Sequence, residues 1–219
     1  MSRITLIGGH GKVALLAAPL LVADGHEVTS VVRNPDHVAD VEATGATAAV
    51  LDVESSSAEQ IADLVRGSDV LVWSAGAGGG SPERTYAVDR DAAIRSMDAA
   101  AQAGVGRYVM VSYFGAGPDH GVPEDNGFYA YAEAKAAADE HLKTTDLAWT
   151  ILRPSSLTLG AATGHIAAGE GVEAGEVSRD NVAHVIRSVV AHPDTTAQRI
   201  IAFNDGFQPI DDVVAAIPA

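Results

Sequence analysis

The sequence predicts an α/β fold, a doubly wound parallel sheet with helices on both faces, and three observations carry that prediction. Apolar runs of strand length alternate with longer stretches of helical period. The strand runs are continuously apolar, as strands buried on both faces must be, rather than alternating in polarity. Most of them end near Gly, Asp or Asn, which close strands into turns. A chain of 219 residues with 47% hydrophobic content can bury one sizeable core. One domain over 1–219 is therefore expected.

The strands read, in order, RITLI (3–7), EVTSVVR (27–33), ATAAVLD (46–52), DVLVWSA (69–75), RYVMVS (107–112), LAWTILR (147–153) and QRIIAFN (198–204). Helices fall between them near 11–24, 35–44, 57–66, 84–104, 128–144 and 180–192. Ser57 before AEQIADLV is a capping residue ahead of a helical period, and Gly104 in AAQAGVGRY closes the longest helix. Two segments, AGAGGGSPE (75–83) and FGAGPDHGVPEDNG (114–127), fit no regular element and follow strands at the end where open α/β sheets bind ligands. Both are expected to border the site.

Charge and composition narrow the partners. The formal charge of −15 makes the average surface repel nucleic acid and anionic lipid, so no nucleic-acid or membrane partner is expected. No apolar run reaches the roughly 18 residues of a membrane span, and MSRITLIGG lacks a secretory pattern, so a cytoplasmic location is expected. Zero cysteines removes thiol chemistry, and the eight histidines show no metal spacing, so no metal is expected. A polyanionic ligand would need a local cluster of cations. The chain has only three lysines, Lys12, Lys135 and Lys143.

Between the first strand and the first helix stands Gly8-Gly-His-Gly11-Lys12-Val13-Ala14. Gly8 permits the turn, Gly11 lets a pyrophosphate approach the backbone, and Ala14 lets helix and strand pack closely. The second strand ends SVVRNP, with Arg33 and Asn34 where an acid would select an unphosphorylated dinucleotide; an arginine there suits a 2′-phosphate. Asp52, ending the third strand, either accepts from an adenine amino group or caps the following turn; spacing does not separate the two. His10 reads as a solvent-facing turn residue, and the acidic run 139–141 as a solvated helix face.

Tyr131-Ala-Glu-Ala-Lys135 places a phenol and an ammonium one helical turn apart. Chance predicts about 0.07 such pairs in a chain of this composition, so the spacing is informative. The ammonium is expected to favour phenolate, and a tyrosine so tuned can pass a proton to a substrate oxygen while hydride moves to or from a nicotinamide.

These residues resemble the short-chain dehydrogenase/reductase superfamily, in its small atypical NAD(P)H-binding branch, and within it the bacterial proteins called sugar-epimerase-like. GGHGKVA, VVRNP, LDV, SAGAGGG, RYVMVS, YAEAK, ILRPSSLT and SRDNVAHVI carry the resemblance in order along nearly the whole chain. It implies a Rossmann-type fold binding NADP(H) in preference to NAD(H). Gly8, Gly11, Lys12 and Val13 would surround the pyrophosphate, Arg33 with Asn34 the 2′-phosphate, and Asp52 and Val53 the adenine. Ser74, Ala75 and Gly76 would line the coenzyme, and Pro154 and Ser155 would touch the nicotinamide. Tyr131 and Lys135 match the catalytic pair, with Ser112 beside them.

Three departures stand out. The fifth strand ends Ser112-Tyr113 where relatives carry further serines, Asp89 stands where extended relatives carry Asn, and the larger C-terminal substrate domain of nucleotide-sugar epimerases is not expected after FNDGFQPI. Substrate-side segments are then expected mainly from 113–127 and 154–180, holding a small molecule. Three functions fit: an oxidoreductase acting on a small carbonyl, quinone or flavin-like acceptor, a non-catalytic NADP(H) sensor, and an NAD-dependent epimerase or dehydratase. Either a monomer or a homodimer is compatible with all three.

Overall fold

The computed structural model describes residues 1–169 and 171–217. Along the chain it forms β1 (Arg3–Ile7), α1 (Lys12–Ala23), β2 (Glu27–Val32), a 3-10 turn (Pro35–His37), α2 (Val38–Glu42), β3 (Thr47–Val50), α3 (Ala58–Val65) and β4 (Val70–Trp73). There follow α4 (Pro82–Thr85), a π-helical segment (Tyr86–Ala92), α5 (Ala93–Ala103), β5 (Arg107–Val111), α6 (Tyr129–Lys143) and β6 (Ala148–Pro154). The last part contains β7 (Ser156–Thr158), β8 (His165–Ala168), β9 (Glu176–Ser178), α7 (Arg179–Ala191), α8 (Pro193–Thr196), β10 (Arg199–Asp205), β11 (Gln208–Pro209) and α9 (Ile210–Ala215).

The main sheet runs β11-β8-β10-β6-β5-β4-β1-β2-β3. From β10 to β3 every pairing is parallel, as continuously apolar strands require. The far edge departs from expectation, since β8 pairs antiparallel with both β10 and β11. Those two short strands, and the separate β7–β9 pair, escape a sequence reading because they hold two to four residues each and lack a long apolar run.

Helices cover both faces. On one, α1 packs on α7, and Val13, Ala14, Leu21, Val182 and Ile186 join the core beneath β1 and β4. On the other, α3 packs on α5, with Ile61, Met97 and Leu142 closing over Leu71, Trp73 and Tyr108. Ser57 makes a full capping box with Gln60, and Gly104 takes the left-handed C-cap at φ 76°, both as the sequence predicts.

The helix expected over 84–104 is interrupted. A wide π turn spans Tyr86–Ala92 and turns Asp89 inward, where it is 1% exposed. π turns inside helices concentrate at functional sites. Because strand order reverses between β1 and β4, their C-terminal ends open a crevice, and the irregular segments 75–81 and 112–128 both begin at that end of the sheet.

Candidate functional site

A cleft of about 750 Å³ occupies this crevice, within the size range of small-molecule and cofactor sites. Gly8, Gly11, Lys12, Val13, Arg33, Asn34, Asp52, Val53, Ser74, Ala75, Gly76, Ser112, Tyr131 and Lys135 all line it. Residues from six parts of the chain are thus brought to one surface. Pro154 and Ser155 do not line it. Pro154 is buried with its carbonyl accepting from Phe114 N–H at 2.8 Å, and the Ser155 hydroxyl accepts from Gly175 N–H at 3.1 Å.

The glycine turn is built for close approach. Gly8 sits at φ 88°, and a Cβ there would lie 2.6 Å from the Ala75 nitrogen, so no side chain fits. Gly11 N–H closes the turn on Gly8 carbonyl at 2.8 Å, and Gly11 caps α1 without any side-chain bond. The first intrahelical bond is Leu15 N–H to Gly11 carbonyl. Helix geometry therefore leaves the N–H groups of Lys12, Val13 and Ala14 without helical acceptors, and no acidic residue stands in that turn. This start of a 12-residue helix, opening into the cleft, suits a diphosphate.

Farther along, the ends of β2 and β3 meet. Asn34 Oδ1 accepts from Asp36 N–H at 3.1 Å and opens the 3-10 turn. Asp52 caps the following turn, its Oδ1 accepting from Glu54 N–H at 3.1 Å, and the residue lines the cleft. Glu54 Oε2 lies 3.4 Å from Arg33 Nη1 and 3.3 Å from Arg84 Nε. His10 is not a free turn residue. It bonds Asp40 at 2.9 Å and stacks on His37 with ring centroids 3.6 Å apart, and both rings face the cleft.

At the other end, α6 presents Tyr131 and Lys135. Lys135 is 1% exposed; its ammonium donates to Val111 carbonyl at 2.8 Å and touches Met110 Sδ at 3.4 Å. Burial pulls its pKa down, while Asp89 and Asp139 oppose the fall. The expected phenolate is corrected by the geometry. Burial first, and then the nearby Asp89 carboxylate, drive the Tyr131 hydroxyl well above the ordinary phenol range. Tyr131 is held as a protonated acid. Its ring meets Tyr113 at 5.5 Å and Phe128 at 5.1 Å, and those two meet at 5.2 Å, forming an aromatic cluster.

Ser112 is occupied. Its hydroxyl donates to Asp139 Oδ2 at 2.8 Å, and the same oxygen accepts from Arg153 Nε and Nη2 at 3.2 and 3.1 Å. The reading of 139–141 as a solvated face fails at its first residue. Asp139 is fully buried because positions 135, 139 and 142 share the inward stripe of α6, whereas Glu140 and His141 face outward. Asp89 completes this end: its Oδ2 accepts from Ala77 N–H at 2.9 Å, and burial raises its pKa against the pull of Lys135.

Sequence reasoning passed over Glu54, Arg84, His37, Leu157 and Arg179, all of which line the cleft. Position supplied a signal for some of them. Arg84 follows the glycine-rich segment directly, and Arg179 follows Ser178, the N-cap of α7. Among the described residues, no group of His, Cys, Asp and Glu is disposed to hold a metal, and no helix is long and apolar enough to cross a membrane.

Comparison with known proteins gives the family and the fold. YhfK of Bacillus subtilis, an uncharacterized sugar epimerase, is 33% identical over 216 residues, covering 97% of this chain and 98% of its own. A solved protein from Bacillus halodurans, assigned provisionally as an NAD-dependent epimerase/dehydratase, superposes with a TM-score of 0.90 at 28% identity, covering 98% of this chain and 99% of that one. ChuY, an anaerobillin reductase from Escherichia coli O157:H7, superposes at 0.77 with 25% identity, covering 95% and 100%. The NAD(P)H-binding family profile matches residues 8–193, and the chain belongs to that family, with the Rossmann-like fold of atypical short-chain dehydrogenases/reductases.

Proposed function

We propose that this protein is an NADP(H)-dependent oxidoreductase that reduces a small carbonyl, quinone or flavin-like acceptor. One observation carries the reading: a half-buried Tyr131, one helical turn from the fully buried Lys135, lines with it the same cleft as the uncapped start of α1. A dinucleotide fits the donor set. The N–H groups of the first turn of α1, with Lys12, hold the diphosphate; Arg33 and Asn34 take the 2′-phosphate; Asp52 and Val53 border the adenine; and Ser74, Ala75 and Gly76 line the path between. When bound there, the nicotinamide would supply or take up the hydride.

The chain's own groups do the rest. Tyr131 donates its proton to the substrate oxygen, and Lys135, held by the Val111 carbonyl, adds a buried donor group to the same end of the cleft. The Tyr113–Phe128–Tyr131 cluster offers flat apolar contact to a conjugated acceptor. Residues 1–219 act as one unit, with 113–127 and 154–180 on the substrate side. That ChuY is a reductase supports reduction over epimerisation.

The test follows NADPH absorbance with a panel of aldehydes, quinones and free flavins. Tyr131→Phe is expected to lower kcat for carbonyl acceptors by about 10²–10³-fold with the affinity for NADPH unchanged. Equal turnover by both proteins with a carbonyl acceptor refutes the proton role. A second reading, a sensor of the NADPH/NADP⁺ ratio, is favoured by the Ser112 hydroxyl being committed to Asp139 rather than free for substrate. It gains if no acceptor consumes NADPH while the two coenzyme forms change the protein's protease sensitivity differently.

A further inference from the structure

Glu54 is a charged residue in the cleft for which the reading above has no use. Its backbone is tied from two sides: its N–H donates to Asp52 Oδ1, and its carbonyl, together with that of Val53, accepts from Arg95 Nη2 at 2.9 and 3.0 Å. The side chain is partly exposed at the cleft. Its Oε2 sits between two guanidinium groups, Arg33 at 3.4 Å and Arg84 at 3.3 Å, and Arg84 is itself anchored by a 2.6 Å bond to Ala77 carbonyl. All three side chains face the cleft. The cation assigned to a 2′-phosphate therefore already has an anion.

We propose that Glu54 is the residue that sets discrimination between 2′-phosphorylated and unphosphorylated dinucleotide, its carboxylate standing in for the phosphate between Arg33 and Arg84. This rests on the assignment of Arg33 to the 2′-phosphate end. A phosphate monoester carries about −1.5 to −2 charges near neutrality. To reach Arg33 it must displace Glu54 and then remain close to it, paying both a lost ion pair and like-charge repulsion. A ribose hydroxyl faces neither cost, because it can donate to the Glu54 carboxylate. In dinucleotide folds that prefer the unphosphorylated coenzyme, an acid at the end of the second strand plays that part. Here the acid comes from the turn after the third strand and would share its arginine with the phosphate.

The consequence is a site whose preference for NADP(H) is held below what Arg33 alone would give. Arg84 extends the argument. Released from Glu54, it becomes a second guanidinium within reach of the same phosphate, and its bond to Ala77 keeps it at the cleft wall.

Isothermal titration of NADPH and NADH into the wild type, Glu54→Gln and Arg33→Ala tests this. Glu54→Gln is isosteric and leaves the backbone bonds of residue 54 in place. It is expected to tighten NADPH about tenfold while leaving NADH unchanged or weakened by about threefold. A ratio of the two affinities that moves by less than about twofold, or toward NADH, overturns the proposal. So does equal weakening of both ligands, which would mark Glu54 as a structural strut. Arg33→Ala separates this failure from that of the underlying assignment. If it leaves the NADPH/NADH ratio at the wild-type value, the 2′-phosphate is not read at Arg33 and both ideas fall. If it lowers the ratio while Glu54→Gln does nothing, only the role of Glu54 is refuted.

Discussion

Replacing Asp139 by alanine should damage the protein far more than a helix-surface aspartate would suggest. The carboxylate is fully buried and accepts three bonds at one oxygen, from the Ser112 hydroxyl at 2.8 Å and from two nitrogens of Arg153 at 3.1 and 3.2 Å. The Arg153 side chain is only 15% exposed, so the alanine variant leaves a guanidinium without its counter-ion in a poorly hydrated place. Breaking a buried pair by removing one partner costs about 3–5 kcal/mol. The low end applies, because Oδ1 makes no bond and burial already pushes the carboxyl pKa up, so the ionised form is not ideally served.

At about 2–4 °C per kcal/mol for a chain of this size, a loss of about 3 kcal/mol lowers the Tm by about 6–12 °C. Scanning calorimetry at pH 7.5 reads this directly. Asp139→Asn keeps an oxygen acceptor of the same shape and should lose about half as much. A Tm for Asp139→Ala within about 2 °C of the wild type would refute the reasoning, as would an Asn variant as damaged as the Ala variant.

Gly8→Ala forces a Cβ to within 2.6 Å of the Ala75 nitrogen at φ 88°, so NADPH affinity should fall by more than about tenfold and the Tm should drop, both measurable by titration and calorimetry. Asp89→Asn should stabilise the fold at neutral pH. Burial raises the folded pKa of Asp89 above its ordinary value, so its contribution to stability is present at low pH and is lost as pH rises through that raised pKa. An amide keeps the bond from Ala77 N–H without burying charge. The Tm difference between variant and wild type should therefore grow between about pH 4 and 7, and a constant difference would count against burial as the cause.

Much of this was legible along the chain. The glycine turn needed only Gly8 and Gly11 behind an apolar strand and ahead of a helix, because backbone geometry restricts such turns to a few residues. Continuous runs such as VLVW and RYVMV marked strands buried on both faces. The spacing of Tyr131 and Lys135 placed them on one helix face, since a helix has one period. Where the sequence misled, a long-range partner was responsible. Asp139 looked solvated in DEH until Arg153 and Ser112, from β6 and the end of β5, closed over it. The spacing predicts that Lys135 lowers the pKa of Tyr131, but its ammonium bonds Val111 carbonyl, and burial first, then Asp89 delivered by a π turn, raise that pKa instead.

Local chemistry by itself determined the fold class, the phosphate-receptive turn and the Tyr–Lys pair, because each depends on residues within a few positions of one another and on fixed helix and strand periods. Protonation states, the commitment of Ser112 and the pairing of Glu54 with Arg33 and Arg84 were decided only by tertiary structure. Electric fields and desolvation act through space, and the groups that set them lie 21 to 30 residues away for Glu54 and 27 for Ser112.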